Sequence, residues 1–251
     1  DANHLWPNTR VLTERKNLRQ LDDHAPKTEY DLILSSYALN ECWEGSEKKE
    51  RSDTIIHLGN LLKDSGYMLL IEPAEGEVCR SLHSACAGAV KENDRLFIQA
   101  PYFNGMACPL WQTESKYFSH EVRPCTPPQK VDQINQRLNL EIREVKFGMS
   151  MLSRVRPRAF PEKSGMFRII SPVRKRKGTI SLWGLGVDGI EREYEWQRRN
   201  LPKEDQKLLL SLQRGDLIDC TGNPEQLVNR ARLKRVEDLS PKFVPRLKES
   251  I

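Results

Sequence analysis

Two short runs of consecutive apolar residues mark out the first half of the chain. Leu32–Leu34 and Met68–Ile71 each have the length and composition expected of a strand buried on both faces of a sheet. Ser52 is a candidate N-cap for a helix between them, and Gly66 lies past its far end. The pattern predicts a strand, a crossover helix and a parallel strand. Apolar residues recur at helical spacing in the predicted helix: Ile55, Ile56, Leu58, Leu61 and Leu62.

Polar residues follow each predicted strand at the same edge of the sheet. In open parallel sheets, ligands bind in the crevice beyond the carboxyl ends of the strands. The first strand leads into Ser35, Asn40 and Glu41, and the second into Glu72 and Pro73. Ser35, Asn40 and Glu41 are therefore candidates for ligand contacts, although Asn40 and Glu41 could instead begin a helix.

The same periodicities predict the remaining elements of the first half. A helix is expected over residues 74–93, a short strand at Leu96–Ile98, and a strand or hairpin over Ile142–Val155 as the last strand of the sheet. A further helix before that strand could pack on the sheet. The apolar residues of the two helices are Val78, Leu82, Ala85, Cys86, Ala89 and Val90, then Val131, Ile134 and Leu138.

Residues 157–251 have the pattern of a small β-rich extension. Strands are expected at Met166–Ile170, Thr179–Leu185 and Ile190–Trp196, with a turn at Asp188 and Gly189. Two helices are then predicted, over Pro202–Gln213 and Gln226–Arg235.

Charge is divided unevenly along the chain. Residues 1–150 carry 18 Lys and Arg against 22 Asp and Glu, whereas residues 151–251 carry 22 against 13. A basic region favours a polyanionic partner such as RNA, the alternative being a solvated basic face. Arg174, Lys175, Arg176 and Lys177 precede a glycine and suit phosphate contacts. Arg230, Arg232, Lys234 and Arg235 form a second candidate RNA-binding set.

The six cysteines are irregularly spaced, which is not the pattern of a disulfide framework. They could be reduced thiols or remnants of a metal site. Cys108, His120 and Cys125, with Cys79 or Cys220, could hold zinc, but their spacing matches no compact zinc pattern. No apolar run approaches the roughly eighteen residues of a membrane span, so no membrane association is expected.

Several sequence segments resemble a known family. "YDLILSSYALNE" and "GYMLLIEP" resemble the later half of a class I S-adenosylmethionine-dependent methyltransferase core. "APYFNGMACPLW", "KYFSHEV", "VKFGMSMLSR", "RIISPVRKRKG" and "RARLKRVEDLSP" resemble the Rsm-type methyltransferase-like proteins of the mitochondrial small ribosomal subunit and their bacterial relatives. The resemblance covers Tyr30 to about Pro241.

The resemblance implies an α/β fold with two parts. Residues 1–156 would form a partial class I methyltransferase-like, Rossmann-like sheet with a cysteine and aromatic loop insertion. Residues 157–251 would form a small basic β-rich appendage. The first glycine is Gly45, so the glycine-rich cofactor turn that such a sheet needs is absent, and the N-terminal cofactor half is expected to be missing or truncated.

In this family the inserted loop usually supplies cysteines for an iron-sulfur cluster. Here the family positions fall on Tyr102, Cys108, Lys116 and near Leu185, so the resemblance argues against a cluster, since iron needs thiolates. Neither iron-sulfur nor zinc is expected. The loop aromatics would instead form a small hydrophobic core. They are Tyr102, Phe103, Trp111, Tyr117 and Phe118.

Two functions are compatible with this resemblance. The first is a mitochondrial matrix protein that binds small-subunit rRNA, ribosomal proteins and assembly factors through a methyltransferase-like scaffold without catalysis, with Trp183 or Trp196 exposed for contact. The second is an active rRNA methyltransferase whose S-adenosylmethionine would meet Ser35, Asn40 and Glu41. "SSYALNE" lacks the Asn/Asp-Pro-Pro-aromatic arrangement of amino-methylating enzymes, which favours the first.

Overall fold

A computed structural model of the protein describes residues 29–157, 159, 165–220, 225–227, 230–232 and 239–241. They form a mixed α/β structure with two sheets and five helices. Within these residues no helix is long and apolar enough to cross a membrane.

The first sheet is formed by strands from residues 30–153. In space the strands run β1, β2, β5, β3, and β4 pairs with the start of β5. β1 and β2 are parallel, whereas β5 is antiparallel to β2, β3 and β4. The elements are β1 (Tyr30–Ser36), α1 (Leu39–Cys42), α2 (Lys48–Asn60), β2 (Leu62–Pro73), α3 (Gly76–Glu92), β3 (Phe97–Ala100), β4 (Glu121–Pro124), α4 (Gln129–Leu138) and β5 (Glu144–Ser153).

The predicted strand, helix and parallel strand are confirmed, but with different boundaries. Helix α2 begins at Lys48, where Glu47 and Glu50 form a capping box; Ser52 is buried inside the helix and is not its cap. Gly66 does lie past the end of α2, but it is within β2, and the C-cap of the helix is Leu61. A Cβ at Gly66 would come 2.6 Å from the Tyr30 carbonyl oxygen, so the close passage of β1 requires glycine.

One face of the first sheet packs against both crossover helices. Leu58 of α2 and Leu82 of α3 lie with Met68 and Leu70 of β2 in one buried cluster, which Leu152 of β5 joins. Two successive crossovers in the same direction place their helices on the same side, because parallel crossovers are right-handed. The predicted apolar face of α3, including Cys86, is confirmed as part of this core.

The opposite face of the sheet is much more open. Leu32 is 62% exposed and Leu34 is 60% exposed, so the prediction of a first strand buried on both faces is wrong. Leu69 of β2 and Met151 of β5 continue this face and are only half-buried. The reason is topological, since no crossover helix among the described elements covers this side.

Helix α4 is present as predicted, but it does not pack its apolar side on the sheet. Val131, Ile134 and Leu138 are exposed, and the buried residue of the helix is Asn135. The Asn135 amide donates to the Ile142 carbonyl oxygen at 3.2 Å. A polar contact with the following segment therefore anchors α4.

The second sheet contains strands from residues 166–241. Its order is β11, β12, β9, β8, β6, β10, β13, with β7 paired to β8. The predicted strands around the Asp188–Gly189 turn are confirmed, as is the helix within 202–213. The elements are β6 (Met166–Ile169), β7 (Arg174–Lys175), β8 (Thr179–Gly186), β9 (Glu191–Gln197), α5 (Lys203–Ser211), β10 (Leu217–Cys220), β11 (Glu225–Leu227), β12 (Arg230–Arg232) and β13 (Leu239–Pro241).

The predicted helix over Gln226–Arg235 is wrong where the structure describes this segment. Glu225–Leu227 and Arg230–Arg232 are strands, and the second pairs in parallel with β9, aligning Ala231 with Tyr194. The edge of β9 offers backbone hydrogen-bonding groups that outweigh local helix propensity.

The core of the second sheet is aromatic. The rings of Phe167 and Tyr194 stack at 3.7 Å between centroids, and Leu209 of α5 lies in the same cluster. Trp196 belongs to this cluster and is fully buried, so the expectation that it is exposed for contact is wrong. Trp183 is half-buried.

Candidate functional site

A pocket of about 320 Å³ lies at the carboxyl ends of β1 and β2, and we call it the edge pocket. It brings together Asn40 and Glu41, two of the predicted ligand residues, with Glu72 from the end of β2. Ser35 lies in β1 and does not line it. The lining residues are Asn40, Glu41, Trp43, Glu44, Gly45, Arg51, Glu72, Glu77, Val78 and Ser81.

Glu72 organises the floor of the edge pocket. It is 0% exposed, and its carboxylate accepts hydrogen bonds from the backbone N–H groups of Leu39 at 3.0 Å and Asn40 at 3.4 Å. Burial raises the pKa of the Glu72 carboxyl, and these two N–H groups oppose part of that rise. Glu72 thereby fixes the segment that follows β1.

Three other residues of the pocket had no sequence signal. Arg51 donates from its guanidinium to the Ser81 hydroxyl and to the Ser46 carbonyl oxygen at 3.1 Å. Trp43 packs in the core of the first sheet. Periodicity places Arg51 and Ser81 on their helices, but only the packing of α2 against α3 brings them together at this edge.

A loop from Pro101 to His120 connects β3 to β4 of the first sheet and packs against residues of the second sheet. Arg80 of α3 organises this loop. The Arg80 guanidinium donates to the carbonyl oxygens of Leu110, Thr113 at 2.9 Å, Ser115 at 2.6 Å and Tyr117 at 3.1 Å. One side chain therefore satisfies four backbone acceptors of an otherwise irregular segment.

The residues that the resemblance places at cluster positions lie close together, in this loop and in β8 beside it. Tyr102, Cys108 and Leu185 belong to one buried apolar cluster. The Lys116 ammonium lies beside it, 5.1 Å from the ring centroid of Tyr117. Of the aromatics predicted to fill the loop, Tyr102, Phe103 and Tyr117 are buried in the cluster, whereas Trp111 and Phe118 are half-buried.

The candidate zinc residues do not form a metal site in the described parts of the chain. His120 stacks on Phe118 at 4.4 Å and contacts the Arg214 guanidinium at 2.8 Å. Burial and the Arg214 charge lower the pKa of His120 to about 4. Burial raises the pKa of the Cys108 thiol. No group of three or more His, Cys, Asp or Glu side chains within the described residues could hold a metal ion.

Cys79 and Cys220 are the two other cysteines that were considered as zinc ligands. Cys79 is buried in α3, and burial raises the pKa of its thiol to about 12. The Cys220 side chain lies outside the described residues.

A buried ionic contact joins the sheets. Arg168 of β6 pairs with Glu121 of β4, and both are less than 5% exposed. Arg168 also donates to the carbonyl oxygens of Pro101 at 3.3 Å and Gly215 at 3.2 Å. Arg123 links Glu121 to Asp216 at 3.3 Å. The pair is hydrogen-bonded on both sides, as a buried pair must be to be tolerated.

The predicted basic segment forms strand β7 and the exposed turn that leads into β8. The four cations Arg174 to Lys177 and the following Gly178 are all exposed. The structure adds Arg198, which donates from its backbone N–H to the Gly178 carbonyl oxygen at 2.9 Å, and the exposed Arg199 beside it. We call these six side chains the basic turn. The adjacent arginines in "QRRN" were the sequence signal that could have identified Arg198 and Arg199.

The second predicted RNA-binding set is only partly described. Arg230 and Arg232 lie on β12, where the backbone but not the side chains is described. Lys234 and Arg235 lie outside the described residues.

Comparison with known proteins assigns no family, because no protein-family model and no curated protein matches this chain.

Proposed function

We propose that this protein is a mitochondrial small-subunit assembly factor or ribosome-associated protein, located in the matrix, that binds rRNA through a partial methyltransferase-like scaffold without catalysis. Its other partners would be ribosomal proteins and assembly factors. This proposal rests on the basic turn, which indicates a polyanionic partner. The family resemblance is the reason for choosing RNA as that polyanion.

The basic turn has the features of a phosphate-binding surface. Two of its cations, Arg174 and Lys175, lie on a β-ladder, where Arg174 pairs with Ser181. The Arg176 N–H donates to the Thr179 carbonyl oxygen at 2.8 Å, which closes the turn. No ion pair joins any of the six cations to a described carboxylate. Cations free of carboxylates can release phosphate counterions on binding.

The apolar cluster of the loop supports a scaffold role. Tyr102 and Leu185, which the resemblance places at two cluster positions, pack in this apolar cluster, and the Tyr102 hydroxyl donates to the Gly186 carbonyl oxygen of the second sheet. Packing and this hydrogen bond supply cohesion between loop and sheet. A retained fold without its chemistry is compatible with binding alone.

RNA affinity measured over a salt series tests the proposal. The probe is a fluorescent transcript of a small-subunit rRNA domain, and the variant is Arg176→Ser/Lys177→Ser. Each lost phosphate contact should lower the salt slope by about 0.7–0.9. We expect a slope shallower by about 1.5 and an affinity reduced roughly 10-fold or more at low salt.

The matched control is Lys130→Ser/Arg137→Ser, which removes two exposed cations from α4, the helix between β4 and β5. This variant should keep the parental slope. If both variants lose the same RNA affinity, the basic turn contributes only through the net charge of the protein. If Arg176→Ser/Lys177→Ser loses no affinity, the basic turn does not contact RNA.

The edge pocket favours a second candidate, an active S-adenosylmethionine-dependent rRNA methyltransferase. The pocket lies where ligands bind in parallel sheets, and Asn40, Glu41 and Glu72 meet there. Calorimetry with S-adenosylmethionine, together with transfer of a labelled methyl group to small-subunit rRNA, decides between the candidates. Binding with transfer that Asn40→Ala abolishes would establish the enzyme.

A further inference from the structure

The basic turn continues onto helix α5. The Arg198 guanidinium donates to the Gln206 side-chain oxygen at 3.2 Å, and the Gln206 amide donates back to the Arg198 carbonyl oxygen at 3.0 Å. Lys203 and Lys207 of α5 are exposed and four residues apart, so they lie on one side of the helix, next to Gln206. We call the basic turn together with Lys203 and Lys207 the basic surface.

The positive charge of the basic surface is not balanced by its neighbours. No ion pair joins Lys203 or Lys207 to a carboxylate in the described parts of the chain. Glu204 is exposed beside the two lysines, whereas helical geometry places Asp205 on the opposite side of α5. The surface therefore keeps an excess of cations, which attracts a polyanion.

Hydrogen bonds and packing fix the backbone beneath these cations. The Gln206 amide also donates to the Leu201 carbonyl oxygen at 3.1 Å, and Leu209 buries α5 in the core of the second sheet. The Arg198 backbone N–H holds the Gly178 carbonyl oxygen at 2.9 Å. A fixed array of cations suits a partner whose phosphates are also held at fixed positions, as they are in a duplex.

The aromatic rings next to the basic surface are turned away from a ligand. On β9, Tyr194 is 5% exposed, and Trp196, two residues before Arg198, is 0% exposed. Trp183 of β8 packs against the loop cluster, and the Lys116 ammonium lies 5.8 Å from its ring centroid. Single-stranded RNA is recognised largely by stacking of unpaired bases on aromatic rings, whereas duplex RNA is recognised by its phosphates, 2′-hydroxyls and shape. The basic surface therefore suits the backbone of a duplex.

We propose that the basic surface binds the phosphate backbone of double-stranded RNA. This inference rests on the proposed function, because it takes RNA as the polyanion, and it adds the structural class of that RNA. The cations of the basic turn and of α5 would contact phosphates, and the bases would stay paired and would not be read.

Fluorescence anisotropy with the full chain over a salt series tests the inference. The probes are an RNA hairpin with a stem of about 16 base pairs, long enough to present two successive minor grooves, and an unstructured single strand with the same number of nucleotides. At equal salt the hairpin should bind roughly 10-fold or more tightly than the single strand, because only the hairpin presents a fixed array of phosphates.

Variants of α5 test the extent of the basic surface. Lys203→Gln/Lys207→Gln removes two cations while keeping residues of good helix propensity. The salt slope for the hairpin should become shallower by about 1–2, since each lost phosphate contact lowers it by about 0.9. The matched control Lys91→Gln/Lys130→Gln removes two exposed lysines from α3 and α4 and should keep the parental slope.

The outcomes separate this inference from the proposed function. Equal affinity for the hairpin and the single strand would overturn the duplex preference and leave the proposed rRNA contact standing. Tighter binding of the single strand, with quenching of tryptophan fluorescence, would assign the surface to unpaired bases instead. An unchanged slope in Lys203→Gln/Lys207→Gln would overturn the assignment of α5. Failure of both RNAs to bind would refute the proposed function as well.

Discussion

The Arg80 guanidinium donates to the Tyr117 carbonyl oxygen at 3.1 Å, and this contact ties helix α3 to the loop between β3 and β4. The same guanidinium reaches three further carbonyl oxygens of that loop. Tyr117 itself points into the buried cluster with Tyr102 and Leu185. The loop is thus held from α3 by hydrogen bonds and from the second sheet by packing.

Replacing Arg80 should destabilise the protein markedly. Arg80→Ala leaves four backbone acceptors without their donor, and hydrogen bonds from charged groups contribute about 1.5–3 kcal/mol each before water replaces any of them. We expect a loss of about 3 kcal/mol in the free energy of unfolding, measured by urea denaturation. The control is Arg95→Ala, whose exposed contact with Asp64 should contribute no more than about 1 kcal/mol. Similar losses in both would show that Arg80 does not hold the loop.

The two faces of the first sheet should respond differently to the same truncation. Leu70 is buried beneath the helices, and Leu70→Ala should cost about 2–5 kcal/mol. Leu34 lies on the open face, so Leu34→Ala should cost less than about 1 kcal/mol. Chemical denaturation of both variants under identical conditions measures the difference. A large cost for Leu34→Ala would mean that the open face is covered in the folded protein.

The buried pair between the sheets should be sensitive to loss of one partner. Arg168→Met leaves the Glu121 carboxylate buried with Arg123 as its remaining cation, and breaking such a pair costs about 3–5 kcal/mol. Asp31→Asn, which breaks an exposed pair with Lys63, should change stability by less than about 1 kcal/mol. Equal effects of the two changes in thermal and urea unfolding would argue against the inter-sheet role of Arg168.

Stability should fall as the pH drops below neutrality, with His83 as one cause. Burial, with a smaller contribution from the Arg168 charge, lowers the pKa of His83 to about 3 from its usual 6.5. Between these values the unfolded chain binds a proton that the folded protein excludes, so stability rises with pH across this window. The slope reaches at most about 1.4 kcal/mol per pH unit for one group.

His83→Phe isolates this contribution from that of His120, whose pKa is also lowered. The variant should lose less stability than the parent between pH 7 and pH 4.5, as followed by urea denaturation at each pH. If the two proteins lose the same stability over that range, His83 is not a source of the acid sensitivity.

Much of the secondary structure follows from local periodicity. The spacing of Leu82, Ala85 and Ala89 predicts both the existence of α3 and its buried face, because crossover helices need one apolar side. The first residue of α2 is harder to predict from the sequence, because both the Glu47–Glu50 capping box and Ser52 are possible helix starts.

Exposure depends on which elements meet in space, and this is where sequence reasoning fails. Leu32 and Leu34 have the composition of a buried strand, yet their burial depends on whether a helix crosses that face. Trp196 lies in a strand whose residues alternate between two faces, and only the packing of the second sheet shows that its face is the buried one. Gln226–Arg235 favours a helix locally, but the free edge of β9 draws Arg230–Arg232 into a strand.

The candidate site shows the same division. Asn40, Glu41 and Glu72 are predictable because topology places strand ends at one edge. Arg51, Ser81 and Arg80 are not, because a lone polar residue on a helix carries no sign of the carbonyl oxygens or hydroxyls that it will meet.

The bracing of the basic turn affects how it would engage a polyanion. Arg198 holds the Gly178 carbonyl oxygen by its backbone N–H, and the pairing of Arg174 with Ser181 holds the other side. A turn fixed in this way has little backbone freedom left to lose on association, so the entropic penalty of binding falls mainly on the long side chains. Such preorganisation favours recognition of phosphate spacing over adaptation to individual bases.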